Sequence, residues 1–241
     1  MTLSPEAHIA HIRADAHALL AAARAEPDAP VPSCPGWTRT KLVKHLCVAL
    51  GWAVAQAEAG PDDPKVFRDA ARPAEGEDVL DFFEGVVDRT VSALGAIDMT
   101  ATFPTWLGPR PGAWVARRMA HETAIHRWDA AGGAFDAALA IDGIDELLDE
   151  LAPLDHLAER LDGTTSTVHL HSTDSDDGEW LVTFGPERIT SERVHGKGDA
   201  AVRGSASNLY LFAWNRVPLD DRFEVFGDRA AAERWSQVIS L

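Results

Sequence analysis

Cysteine is nearly absent from this sequence: Cys34 and Cys47 are the only two in 241 residues. That excludes a disulfide scaffold, which needs several pairs. Basic residues are scarce as well, 22 Lys and Arg against 38 Asp and Glu, for a formal net charge of −16. Such a surface repels phosphate backbones and anionic lipid, so neither nucleic acid nor a membrane is expected as a partner. No stretch approaches the roughly 20 apolar residues needed to span a bilayer. The opening Met1-Thr2-Leu3-Ser4-Pro5-Glu6 lacks a basic segment followed by an apolar run, so no signal peptide is read there. A cytoplasmic chain is expected. Internal repeats and low-complexity segments are also missing.

What is present is an ordinary globular composition, 46% hydrophobic, and enough length for one large domain or two modest ones of about 100–200 residues each. The first half reads as helices. Ser4 can cap a first helix with Pro5 at its first position, and Ile9, Ile12, Ala16, Leu19 and Leu20 recur at helical spacing until Pro27 and Pro30. Thr38 is a suitable N-cap for a second helix ending at Gly60-Pro61. A third helix follows Gly76, and a fourth runs from about Ala113 to Gly132-Gly133. A further helix is expected over about 144–161, leading out of this antiparallel bundle.

After Gly163 the periodicity changes to two. Thr167–His171 and Trp180–Phe184 alternate as half-buried strands do, around the turn residues 174–178. Ala200–Gly204 and Phe223–Asp228 read as further strands, each followed by a helix, at about 206–214 and 229–238. The expected fold class is therefore α+β, with a helical bundle over residues 1–161 and a smaller α+β domain over 162–241.

The most informative residues are His121-Glu122-Thr123-Ala124-Ile125-His126 on the fourth helix. They resemble HExxH, but the two histidines are five apart and point about 140° from one another at roughly 100° per residue. The zinc-protease reading fails. Glu122 and His126, four apart, share a face and can bind one ion, or equally form a surface pair worth about 0.2–0.5 kcal/mol. A third ligand would come from a facing helix, and His45, flanked by Leu42, Leu46 and Ala49, points inward on the second. An inward histidine can also be a hydrogen-bonded core residue. His169 and His171 share one face of a strand and could bind metal, but no third partner is evident, and they read as an exposed pair.

Cys34-Pro35-Gly36-Trp37-Thr38, His45-Leu46 on the following helix, and Glu122-x-x-x-His126-Arg127-x-Asp129-Ala130 together resemble the mycothiol-dependent maleylpyruvate isomerase family, within the DinB-like bundle superfamily. Arg203-Gly204-Ser205-Ala206-Ser207-x-Leu209, Trp214-Asn215-Arg216 and Val225-Phe226-Gly227-Asp228 resemble its second domain. The family's usual Trp-Gly-Arg is Trp-Asn-Arg here. The resemblance implies a DinB-like four-helix bundle and one zinc or other divalent metal held by His45, Glu122 and His126. It also implies mycothiol as the thiol cosubstrate.

Three protein ligands leave a tetrahedral metal one open position. Metal coordination deprotonates a thiol whose free pKa is near 8.5. In the isomerase the thiolate adds to a cis double bond, the resulting single bond rotates, and elimination gives the trans product. Another electrophile would give S-transfer at the same centre. Arg127 is a candidate for binding the thiol, or else pairs with Asp129 or another acid. Arg203 and Arg216 are candidates for catalysis, binding an anionic substrate group from the second domain. Trp37, Trp52, Trp106 and Trp114 line a pocket or belong to the core. Cys47, about 200° round the helix from His45, is not read as a nucleophile, and Cys34 is read as packing the entry to the second helix. A metal-dependent hydrolase and a non-catalytic metal-binding regulator are the alternatives, and a monomer or homodimer is expected.

Overall fold

The computed structural model describes residues 2–60 and 72–239. Its contacts divide the chain into two compact units, Ser4–Gly133 and Met1–Leu3 with Ala134–Leu241. No helix is long and apolar enough to cross a membrane among the described residues.

The first unit is a four-helix bundle. Helix α1 (Pro5–Ala25) opens on Ser4, whose hydroxyl accepts from the Ala7 amide, with Pro5 where a missing N–H costs nothing. Helix α2 (Arg39–Ala59) opens on Thr38 in the same way and closes at Gly60, whose φ of 78° a side chain would strain. Pro61, expected beside it as a stop, lies outside the described residues. Helix α3 (Val79–Ala96) starts at Asp78, whose carboxylate takes the Leu80 and Asp81 amides. Each such cap contributes about 1 kcal/mol.

A hairpin of β1 (Thr102–Thr105) and β2 (Gly108–Pro111) leads into α4 (Gly112–Ala131), which ends at Gly132. Prolines ordinarily interrupt strands, and this stretch holds three. Pro104 lies opposite Pro109 and Thr102 opposite Pro111, alternate register positions where an antiparallel ladder needs no N–H. Helix α1 packs on α3 and α4, and α2 on the same two. Ile12, Leu19, Leu42, Leu46, Leu50, Phe83, Val87 and Leu94 are fully buried between them. Each such side chain contributes about 1.5–3 kcal/mol relative to exposure.

The second unit begins earlier than residue 161. Helix α5 (Ala137–Glu146), capped by Asp136, passes into a π-helical turn, Leu147–Leu151, before Pro153, which has no N–H to continue it. A short α6 (Asp155–Ala158) follows. The single helix expected over 144–161 is thus broken. Helix α5 groups with the sheet because its apolar face packs on α7 (Ala206–Ala213), while Trp214 donates its indole N–H to the Gly143 carbonyl.

The sheet contains β3 (Ser166–Ser172), β4 (Glu179–Phe184), β5 (Ile189–Glu192), β6 (Ala200–Gly204) and β7 (Glu224–Gly227). Their order is β5-β4-β3-β6-β7, with β3 and β6 parallel and the other pairs antiparallel. Helices α7 and α8 (Arg229–Val238) cover one face, which buries Val168, Leu170, Val182, Phe184 and Val202. His169, His171 and Glu179 alternate onto the other face.

Two backbone positions explain motif residues. Gly227 has φ 78°, and a Cβ there would come within 2.3 Å of the Asp199 carbonyl oxygen. Asn215, where the family's usual residue is glycine, has φ 54° and is the one non-glycine residue with positive φ among those described. Asparagine enters this left-handed region more easily than other residues with a side chain, so the tight turn survives the exchange.

Candidate metal centre

The centre forms between two helices of the bundle. Glu122 and His126 stand one turn apart on α4, and His45 faces them from α2. One donor atom from each lies within 4.8 Å of the others. His45 Nε2 is 2.7 Å from Glu122 Oε1, and His126 Nε2 is 3.4 Å from the same oxygen. The His45 and His126 rings meet edge to face, 4.9 Å between centroids. His121 is buried and turned elsewhere, its ring against His8 at 5.9 Å.

Neighbouring groups orient these donors. Arg118, one turn before Glu122, donates to Oε2 at 3.2 Å and leaves Oε1 to the histidines. Asp129, its side chain fully buried, holds His126 Nδ1 at 2.8 Å. With the proton on Nδ1, Nε2 offers its lone pair to a cation, the usual carboxylate–histidine–metal arrangement. Asp129 itself accepts from Ser33 Oγ at 2.5 Å and Cys34 Sγ at 3.7 Å.

The segment before α2 supplies these last contacts because its backbone is tightly folded. Val31 N bonds to Trp37 O, Trp37 N to Cys34 O, and Gly36 takes φ 79°. Trp37 thereby lies over the site, 5.3 Å from the His45 ring and stacked on His126 at 6.4 Å.

The electrostatics suit a cation. Burial would raise the Glu122 carboxyl, but hydrogen bonds with His126 and His45 and the charges of His126 and Arg118 hold it well below its usual range. Burial would lower His126, but its hydrogen bonds with Asp129, Cys34 and Glu122 and the Glu122 charge raise it well above its usual value. Acceptors converging on an imidazole in this way stabilise positive charge, whether proton or metal. Two imidazoles and one carboxylate are ordinary zinc ligands, and the residues present fit that ion.

The other candidates lie as follows. Arg127 is buried, donating from Nε to Asp15 at 2.9 Å and from Nη1 to the Gly132 carbonyl at 2.5 Å. The acid it engages there, Asp15, is on α1. Arg203 is half-buried on β6 and donates to Glu224 at 3.2 Å; Arg216, after α7, donates to the Trp214 carbonyl at 2.9 Å. Cys47 is buried, which pushes its thiol up to about 12 and leaves no thiolate for attack. Trp52 and Trp114 belong to the core, and the exposed Trp106 packs edgewise on both.

Asp129, Arg118 and Ser33 were not singled out as parts of the site. Asp129 carried a readable signal, because an acid three residues after a ligating histidine is within reach of its second ring nitrogen. Ser33 carried none, being brought in by loop geometry.

Two family models match in tandem: the mycothiol maleylpyruvate isomerase N-terminal domain over residues 9–131, and the corresponding C-terminal domain over 138–234. Among solved structures, a histidine-to-alanine mutant of the mycothiol-dependent maleylpyruvate isomerase superposes with a TM-score of 0.62 at 15% identity, covering 93% of this chain and 95% of that one. A second structure of that isomerase gives the same score and coverage at 16% identity. No curated protein shows a significant match to the chain.

Proposed function

Because the chain belongs to the mycothiol-dependent maleylpyruvate isomerase family, we propose that it is a divalent-metal- and mycothiol-dependent enzyme, either a cis–trans isomerase or an S-transferase acting on a small electrophile. The observation that carries this reading is the convergence of His45, Glu122 and His126 within 4.8 Å, with Asp129 on the far nitrogen of His126.

His45 Nε2, His126 Nε2 and the Glu122 carboxylate would hold the metal, and zinc is the ion their chemistry suits. When bound, such an ion supplies a Lewis acid that keeps a thiol in its thiolate form near neutral pH. Asp129 fixes the His126 ring and tautomer. Arg118 neutralises the second Glu122 oxygen, so the carboxylate keeps one orientation. Trp37 covers the two imidazoles and limits the approach of water.

Arg203 and Arg216, both partly exposed, are the residues we propose for an anionic group of the substrate. We set Arg127 apart from thiol binding, since Asp15 and the Gly132 carbonyl engage its guanidinium.

The metal-loaded chain should convert a cis-unsaturated or alkylating electrophile only when mycothiol is added. Steady-state assays with and without the thiol check this. Thiol-independent hydrolysis would replace the present reading with a metal hydrolase. The Asp129→Asn variant keeps the shape of the side chain and removes its charge. Its zinc affinity should fall about 10–100-fold, measured by competition with a chelating dye, and unchanged affinity would remove Asp129 from the centre.

A further inference from the structure

The open face of the C-terminal sheet carries a second cluster of donors, in a unit distinct from the bundle. His169 and His171 share a face of β3, Glu179 stands opposite His171 on β4, and His195 follows β5. Strand pairing therefore supplies Glu179, and the segment after β5 supplies His195, partners that the spacing of the two histidines alone does not reveal. One donor atom of each of the four lies within 4.8 Å of the others.

Glu179 is at the centre of the group. Its Oε2 is 2.6 Å from His195 Nδ1 and 3.3 Å from His169 Nε2, and its Oε1 is 3.0 Å from His171 Nδ1. The three imidazoles meet edge to face, with centroids 5.3 to 6.1 Å apart and interplanar angles of 69° to 86°.

Hydrogen bonding to Glu179 does not account for the whole group. His169 is 5% exposed, and its buried Nε2, 3.3 Å from Glu179 Oε2, makes no well-aligned hydrogen bond. Nothing in the strand pairing requires a polar ring there.

We propose that His169, His171, Glu179 and His195 form a second divalent-metal site, selective for zinc. Zinc–nitrogen bonds of about 2.0–2.1 Å separate the donors of a tetrahedral site by about 3.4 Å, the order of the Glu179 contacts. The three imidazoles favour zinc over calcium or magnesium, which take oxygen ligands. Four protein donors complete a tetrahedron and leave no position for substrate, so the ion is structural. It fastens the β3–β4 hairpin to the segment after β5, where His195 is otherwise exposed. This inference does not rest on the bundle centre or on thiol chemistry.

The test is zinc stoichiometry of the full chain, stripped with chelator and titrated with zinc alone in excess magnesium. Two ions per chain are expected in the parent. The His45→Ala/His126→Ala variant should retain one ion, and the His171→Gln/His195→Gln variant should retain the other. Loss of an outer partner costs about 10–100-fold in affinity, so loss of direct ligands should weaken the second site by at least that. His195→Ala alone, altering an exposed side chain outside the strands, should weaken one of the two sites while circular dichroism stays unchanged. A parent chain that binds a single ion abolished by His45→Ala/His126→Ala overturns the proposal. So does a second ion whose affinity is indifferent to His171 and His195.

Discussion

Replacing His126 with alanine should empty the bundle centre of metal and abolish mycothiol-dependent turnover in the same variant. The imidazole is one of three donors, and its far nitrogen is anchored by Asp129 at 2.8 Å. Outer partners of this kind are worth about 10–100-fold in metal affinity, so loss of the ligand itself should exceed 100-fold. His45→Ala should do the same from the other helix. Because His45 is less buried than His126, that variant should also fold normally. The control is His121→Ala, which costs stability because the ring is buried against His8 but should leave metal affinity unchanged. Chelator competition and turnover, measured together, decide the matter. Metal retained by both ligand variants, or lost from His121→Ala, would break the assignment.

The second large effect concerns stability. Asp15→Ala should destabilise the bundle by about 3–5 kcal/mol, the usual result of removing one partner from a buried ion pair. The Asp15 carboxylate and Arg127 guanidinium are 2.9 Å apart, and both side chains are nearly excluded from solvent. The variant takes the Asp15 carboxylate away from a guanidinium held where charge is poorly solvated. Asp15→Ala combined with Arg127→Met should recover much of the loss, because an apolar pair no longer buries charge. Denaturant unfolding measures both. The KM for mycothiol in folded Asp15→Ala should match that of the parent. A rise in KM without a change in stability would return Arg127 to the thiol-binding role first expected of it.

The residues that reveal the bundle to a reader of the sequence are those whose effects are local. Ser4, Thr38 and Gly132 mark helix ends because capping acts over three or four residues. The i,i+4 spacing of Glu122 and His126 fixes a shared face for the same reason, and His45 is legible through its apolar neighbours. Contacts over long sequence distances are not legible in this way. Ser33 reaches Asp129 only because the backbone between Val31 and Trp37 folds back on itself. Asp15 reaches Arg127 only because α1 packs on α4. The hairpin at 102–111 is hard to read in the sequence because prolines count as breakers unless the register is known. His169 and His171 were seen, but their partner Glu179 is set by strand register, and His195 by the course of a loop.

The most direct test of the central claim is a crystal of the zinc-loaded protein with diffraction recorded at the zinc edge. The account predicts an anomalous peak about 2.0–2.2 Å from His45 Nε2, His126 Nε2 and a Glu122 oxygen. No peak between those three side chains, in crystals of chain shown to contain zinc, would contradict it.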